Sequence, residues 1–225
     1  MPSSQINEFG AFSGHVAGVS PNMNGLVLAG GHSQRMGQPK SLLNYHGKPQ
    51  YQYVAELLSD FCEQVFISCR AEQQDLFEGY QTICDTEDLG DIGPMNGMLS
   101  AFSFQLPESF VPKKSGSASS LPAWFVLGCD YPLLEKSDLE QLFQARNPAS
   151  VATVFFNPET RFVEPLLGIY EAKAGPLLHE WFQQGNESLR RFLEKHEVQK
   201  AIPLRPECLK SVDTPEEFQH IKSKY

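Results

Sequence analysis

No stretch of the chain approaches the ~20 consecutive apolar residues that a membrane-spanning helix requires, which excludes an integral helical membrane protein. The start, MPSSQINEFGAFSGHV, lacks the basic and apolar regions of a secretory signal, so a cytoplasmic location is expected. Cysteine is sparse and scattered. Cys62, Cys69, Cys84, Cys129 and Cys208 are odd in number and contain no CxxC pair, which argues against a zinc site or a disulfide framework and for reduced thiols, mostly in the core. Positive charge is also short: Lys and Arg number 18 against 27 Asp and Glu, a formal charge of −9. That balance argues against a general binder of nucleic acid or anionic membrane, and any phosphate site must be locally basic. There is no internal repeat and no GxSxG elbow, since GHSQR does not fit one. His15, His46, His179, His196 and His220 share no metal-ligand or triad spacing, which favours surface or core roles for them.

What is there suits one α/β domain, because 225 residues allow a full core but hardly a second large domain. Residues 1–23 mix Gly, Ser, Asn and Pro without sustained periodicity and read as a tail, either mobile or docked on a surface. The domain proper is expected over 24–225. There, strand-like runs (GLVLA, QVFISC, YQTIC, AWFVLGC, SVATVFF, PLLGIYEA) alternate with amphipathic stretches such as YQYVAELLSDFC, GPMNGMLSAFSF and SDLEQLFQA. The alternation predicts a mainly parallel sheet sandwiched by helices, with ligands at the carboxyl ends of the strands. Pro107 to Pro122, with KKSGSASS at its middle, reads as an exposed loop without chemistry.

The most informative stretch is GLVLAGGHSQRMGQPKS, from Gly25 to Ser41. An apolar strand runs into Gly30 and Gly31, which can turn their N–H groups toward an anion, and the loop that follows carries His32, Arg35 and Lys40. The spacing is neither that of a Walker loop nor that of a dinucleotide fingerprint: Gln38 and Pro39 separate Gly37 from Lys40, and the first two glycines are adjacent. A tight strand-to-helix turn with two solvated cations is the plainer reading of a bare GG pair. The combination of Arg35, Lys40 and the spacing points instead to a phosphate loop.

Other residues sit at the same predicted edge. WFVLGCDYPLL delivers Asp130 to the end of an apolar strand, either as a ligand for Mg²⁺ or as a residue that caps the helix beginning near Lys136 or orders the turn. Asp85, after YQTIC, is placed to accept hydrogen bonds from a base or ribose, or to order a turn. GPMNG, Gly93 to Gly97, opens a predicted helix and offers N–H groups to a ligand, although Pro and Gly are ordinary turn grammar there. RFVEPLLGIYE puts Arg161 and Glu164 ahead of a strand. In SVDTPEEF, Asp213 or Thr214 is a helix cap, capping being the stronger reading of Asp213 on its own.

LAGGHSQRMGQPKSLL, GPMNG, GCDYPLL, RFVEPLLGIY and DTPEEF, in this order and spacing, resemble the molybdenum cofactor guanylyltransferases within the wider nucleotidyltransferase superfamily. The resemblance covers most of Asn24 to Phe218. It implies a Rossmann-like three-layer fold and transfer of GMP from GTP to the phosphate of molybdopterin or its molybdenum form, with Mg²⁺, releasing pyrophosphate. Carried over by position, Leu28, Ala29 and Gly30 would contact guanine, Lys40 the phosphates, Asp85 the nucleoside and Asp130 the metal. Gly31, Ser68 and Gly97 would also border the nucleotide, Arg35 would join Lys40 and Asp130 in catalysis, and Asp213 is a second candidate metal ligand. Molybdenum cofactor biosynthesis proteins and acceptor molybdoenzymes are the implied partners. Ser68 stands where an Asn is common, GPMNG replaces GPLAG, and Asp213 replaces an Asn.

The chemistry needs no general base. A phosphate monoester has a second pKa near 6, so the acceptor is mostly dianionic at neutral pH, and the protein must align two anions and neutralise developing charge. Two rivals stand beside this reading. One is a molybdopterin cytidylyltransferase or sugar-phosphate nucleotidylyltransferase; the glycine at position 30, in LAGG rather than LAAG, favours guanine, while Asp213 leans toward the cytidylyl pattern. The other is a non-catalytic GTP-binding interaction protein, against which the intact Lys40 and Asp130 argue.

Overall fold

A computed structural model of the chain describes residues 22–31, 37–104 and 121–223. His15, His32, Arg35, most of the expected tail and most of the Pro107 to Pro122 loop lie outside the described residues. Seven strands form one sheet: β1 (Met23–Leu28), β2 (Gln64–Cys69), β3 (Gln81–Cys84), β4 (Ala123–Gly128), β5 (Ala152–Asn157), β6 (Phe162–Tyr170) and β7 (Val198–Ala201), in the order β3-β2-β1-β4-β6-β5-β7. The pairs β3·β2, β2·β1, β1·β4 and β5·β7 are parallel, and β6 runs antiparallel to both its neighbours. β1 and β4 are apolar almost throughout because both of their faces are covered. β1 begins at Met23, one residue inside the expected tail, since that side chain is fully buried in the core.

Six helices complete three layers: α1 (Gln50–Ser59), α2 (Pro94–Ser103), α3 (Lys136–Gln144), α4 (Ala174–Gln183), α5 (Leu189–Lys195) and α6 (Pro215–Lys222). α1 and α3 bury Val54, Ala55, Leu58, Leu139 and Leu142 against one face of the sheet. On the other face α2, α4 and α5 contribute Met98, Leu99, Leu178, Phe192 and Leu193. α6 packs Ile221 and Phe218 on Leu43, Tyr45, Leu133 and Val212, a third small cluster formed by loops at the sheet edge. The architecture is the expected three-layer α/β fold with a mainly parallel sheet. The cysteines are all free and, except for the half-buried Cys84, buried.

The reversed strand is the main departure. Asn157 closes the β5–β6 hairpin, its side-chain carbonyl accepting from the N–H groups of Glu159 and Thr160 at 3.0 and 3.2 Å, with Arg161 in a left-handed conformation (φ 62°). β6 therefore starts at Phe162, and Glu164 lies within the strand instead of ahead of it. Because β6 is antiparallel, its beginning reaches the edge where the parallel strands end.

Candidate active site

The ends of β1, β2, β3 and β4 and the start of α2 enclose a cleft of about 610 Å³. Leu28, Ala29, Gly30 and Gly31 form one stretch of its wall, continuing β1 past the sheet; the Ala29 N–H still donates to the Ser68 carbonyl at 2.9 Å. Ser68 and Gly97 line it where α2 presses on the sheet. A Cβ at Gly97 would lie 2.3 Å from the Ser68 hydroxyl and 2.8 Å from Leu28 Cδ2, so only glycine permits this approach. Asn96, the fourth residue of GPMNG, is tied up with protein. Its side-chain carbonyl accepts from Thr86 N–H at 2.8 Å, and its amide donates to the carbonyls of Thr86 and Gly90, both at 3.0 Å. That residue anchors the wall formed by the loop after β3.

Asp85 enters the cleft from the end of β3, its N–H bonded to the Cys69 carbonyl at 2.9 Å. Burial pushes its carboxyl up to about 6; Arg70 opposes the shift, and Asp91 and Glu72 add to it. A Cβ at Gly30 would lie in ordinary contact, 3.5 Å from Asp85 Oδ2 and 3.4 Å from Cys69 Cα. A methyl there is tolerable to the protein and felt mainly by whatever lies in the cleft.

At the other end the structure brings together Lys40, Asp130 and Asp213. Lys40 opens a short 3₁₀ turn, Lys40–Leu42, and pairs with the Asp213 carboxylate. Asp130 follows β4, and Gly128 leaves the room that its Oδ1 occupies, since a Cβ at 128 would stand 2.5 Å from that atom. Burial raises the Asp130 carboxyl above its ordinary value, Lys40 pulls it back down, and Asp213 pushes it up. The capping alternatives are decided here. α3 is capped by Glu135 and Asp138, not by Asp130. α6 is capped by Thr214, whose hydroxyl accepts from Glu217 N–H at 3.3 Å while the Glu217 carboxylate accepts from the N–H groups of Thr214 and Asp213, leaving the Asp213 side chain to face Lys40.

The backbone after Asp130 is held from three directions. Val212 N–H donates to the Asp130 carbonyl at 2.9 Å, His46 Nε2 donates to the Pro132 carbonyl at 2.8 Å, and the Tyr53 hydroxyl donates to the Leu134 carbonyl at 2.8 Å. The His46 and Tyr53 rings stack at 3.7 Å, which fixes the imidazole that holds the Pro132 carbonyl.

With this geometry in view, residues 25–201 match the family model described as the MobA-like NTP transferase domain. The chain belongs to the MobA-like NTP transferase family. It is 31% identical over 201 residues to a molybdenum cofactor biosynthesis bifunctional protein of Synechocystis, covering 88% of this chain but only 53% of that protein. It is 29% identical over 208 residues to a probable molybdenum cofactor guanylyltransferase of Trichormus variabilis, covering 91% and 92% of the two chains. Among solved structures, molybdopterin-guanine dinucleotide biosynthesis protein A of Archaeoglobus fulgidus superposes with a TM-score of 0.68 at 23% identity, over 90% of this chain and 98% of the other. These structural likenesses bear on the fold.

Two cleft residues of this MobA-like chain escaped the sequence reading. Arg70, bonded through Nε to Glu72 at 3.2 Å, lines the cleft directly after β2; the strand-end rule that singled out Asp85 and Asp130 applies to it equally. Ser41 is buried beside Lys40, lines the same cleft, and its hydroxyl finds no protein acceptor or donor. A buried hydroxyl without a partner is uncommon and marks a place for a ligand or water.

Proposed function

We propose that this protein transfers GMP from GTP to the phosphate of molybdopterin or its molybdenum form, yielding the guanine dinucleotide cofactor and pyrophosphate, in the cytoplasm. The observation that carries the reading is the meeting of Lys40 and Asp130, from two different loops, at one end of a cleft whose other end is walled by Leu28–Gly31, Arg70 and Asp85. One end suits phosphates and the other a nucleoside. The names of the relatives supply the acceptor.

The residues present fit Mg²⁺. Among the described residues no group of three or more His, Cys, Asp or Glu is placed to hold a metal, which disfavours an all-protein cage. Mg²⁺ asks for less: one or two carboxylates, completed by phosphate oxygens and water. Asp130, in the space left by Gly128, and Asp213 would hold it. When bound it supplies positive charge beside the phosphates.

The chain's own groups account for the rest. A dianionic acceptor oxygen forms the new bond to the α-phosphorus while the bond from that phosphorus to the β-bridging oxygen breaks, its electron pair leaving with pyrophosphate. Lys40 is released from Asp213 to the triphosphate and neutralises charge on the transferred and leaving oxygens. The Ser41 hydroxyl donates to a phosphate oxygen, and the N–H groups of Gly30 and Gly31 face the nucleotide. Asp85, as carboxylate, accepts from the nucleoside, with Arg70 alongside. The product would pass to molybdenum cofactor biosynthesis partners and acceptor molybdoenzymes.

The test is pyrophosphate release with molybdopterin and Mg²⁺, comparing GTP with CTP. Release with GTP is expected. Preference for CTP would reassign the base while keeping the reaction class, and nucleotide binding without release would make the protein a non-catalytic binder. Gly30→Ala sharpens the choice: the added methyl should cost GTP more than CTP.

A further inference from the structure

β2 and β3 end together on a pair of thiols. Cys69 and Cys84, the last residues of the two strands, are register partners in a parallel ladder, so their side chains leave the sheet on the same face, the one that α1 covers. Each thiol meets the other, Cys84 being the hydrogen-bond partner of Cys69. Neighbouring strands run about 4.8 Å apart, inside the ~4.4–6.8 Å that a disulfide spans between Cα atoms. Cys62, Cys129 and Cys208 lie outside the strands and are buried. Access to the pair is unequal: Cys69 is fully buried, while Cys84 is half-buried on the edge strand of the sheet, which makes it the cysteine most open to solvent.

The pair adjoins the nucleoside end of the cleft. The residues that follow the two cysteines, Arg70 and Asp85, both line it. Asp85 N–H donates to the Cys69 carbonyl at 2.9 Å, and a Cβ at Gly30 would stand 3.4 Å from Cys69 Cα, so the backbone at Cys69 supports the wall on two sides. Bonded sulfurs stand ~2.05 Å apart, well inside the contact distance of two thiols, so closing the bond draws the strand ends together. β3 is the part that yields, being four residues long and paired on one side only. Asp85 moves with it.

We propose that Cys69 and Cys84 are a dithiol–disulfide site that reacts with a low-molecular-weight disulfide of the glutathione type, and that closing it shifts Asp85 and weakens nucleotide binding. The effect on nucleotide rests on the GTP reading above; the thiol chemistry does not. Cys84 reacts first. Its sulfur attacks one sulfur of the small disulfide, whose S–S bond breaks and releases one thiolate. The Cys69 sulfur then attacks the Cys84 sulfur and displaces the second thiolate, and the two protons given up by the protein thiols end on the two released molecules. The protein dithiol loses two electrons and the small disulfide gains them. Burial, and after it the neighbouring Cys84, pushes the Cys69 thiol up to about 12, so it stays protonated until an adduct on Cys84 offers it a bond. Disulfides of cytoplasmic proteins are mostly transient and redox-sensing, which fits a bond that the fold does not need.

The experiment treats the full chain with oxidised glutathione and then with dithiothreitol, and reads intact mass, a non-reducing peptide map and GTP affinity with Mg²⁺ by calorimetry. Treated protein should lose two hydrogens, join the Cys69 and Cys84 peptides, and bind GTP about ten-fold or more weakly, the loss expected when a hydrogen bond to a charged group is broken. Dithiothreitol should restore all three. Cys84→Ala should gain neither a linkage nor an adduct, and its GTP affinity should ignore the oxidant. Cys69→Ala should trap a glutathione adduct on Cys84, which a merely structural pair would not do. Cys69 is fully buried, so the mass of the unaltered protein and Cys84→Ala carry the test if that variant does not fold. Free thiols persisting at both positions, or a linkage to Cys62, Cys129 or Cys208 instead, would overturn the site. A Cys69–Cys84 bond that leaves GTP affinity unchanged would overturn its coupling to the cleft. If neither form binds GTP, the nucleotide reading fails and the mass alone decides the thiol site.

Discussion

Lys40 is the residue whose loss the cleft tolerates least, because among the described residues it is the cation paired at the Asp130–Asp213 end. Lys40→Ala should lower turnover by ~10²-fold or more with the fold intact, read as pyrophosphate release beside a thermal melt. Asp130→Asn keeps the shape and removes the charge. It should displace the Mg²⁺ titration of activity far more than it reduces the thermal stabilisation given by GTP; an unmoved titration would return Asp130 to a structural part. Asp85 carries a pH dependence. With its carboxyl pushed up to about 6, the acceptor form is lost as pH falls through that value, so GTP should bind more weakly at pH 5 than at pH 7.5. For the ligand-free fold the sign is opposite to that of a salt-bridged acid. The folded value lies above the ordinary 3.8, so the ionised group costs stability, fully above about pH 6 and not at all below the ordinary value. Asp85→Asn should therefore raise Tm at neutral pH by about 2–4 °C, corresponding to ~1 kcal/mol once the half-exposed site is discounted for screening, with the gain vanishing toward pH 4.

At the level of elements, the cleft depends on how closely α2 approaches β1 and β2. Gly97→Ala would drive a methyl into the Ser68 hydroxyl and Leu28, and should destabilise by about 1–3 kcal/mol, as overpacking does, while narrowing the cleft. Adding Ser68→Ala removes the nearest atom. The double variant should recover part of the lost stability in chemical denaturation, and strict additivity would refute the contact. The same elements explain what could be read from sequence. Strand ends were legible because apolar runs stop abruptly at Gly30, Asp85 and Asp130 and leave polar groups at one edge. Lys40 and Asp213 are far apart in the chain, and only the resemblance set both at one site. The direction of β6 was not legible, since a half-buried run reads the same both ways, and its second half alone, PLLGIYEA, gave a clear strand pattern. Glu164 was accordingly set ahead of the strand, and the stretch of cleft wall at Leu166 went unseen. α4, α5 and β7 were missed for a related reason: their role is to cover the far half of the sheet, and they carry no chemistry-bearing motif.

On the scale of the whole molecule, the net charge is −9 and the cleft shares that acidity: its described lining carries Lys40 and Arg70 against Glu72, Asp85, Glu87, Asp91 and Asp130, so a triphosphate there would need a bound cation and backbone N–H groups beside the two basic side chains. Ligand linkage gives the global prediction. MgGTP at 100 times its Kd should stabilise by about 2.7 kcal/mol, or ~5–11 °C in Tm for a chain of this size, and CTP at the same concentration by less. A scanning-fluorimetry series with both nucleotides checks it.

The strap formed when Val212 N–H reaches the Asp130 carbonyl also has a temporal meaning. The chain is synthesised from its N-terminus, and the β3-β2-β1-β4 half of the sheet is complete once Gly128 has emerged. The segment that pins Asp130 and supplies Asp213 is made only after the last strand, β7, which ends at Ala201. A nascent chain still tethered before Ser211 would possess the cleft walls formed by β1, β2, β3 and β4 yet lack the fastening at Asp130. Fastening of the Asp130 end thereby waits on residues made after the whole sheet, a step set by order along the chain and not by the sheet itself.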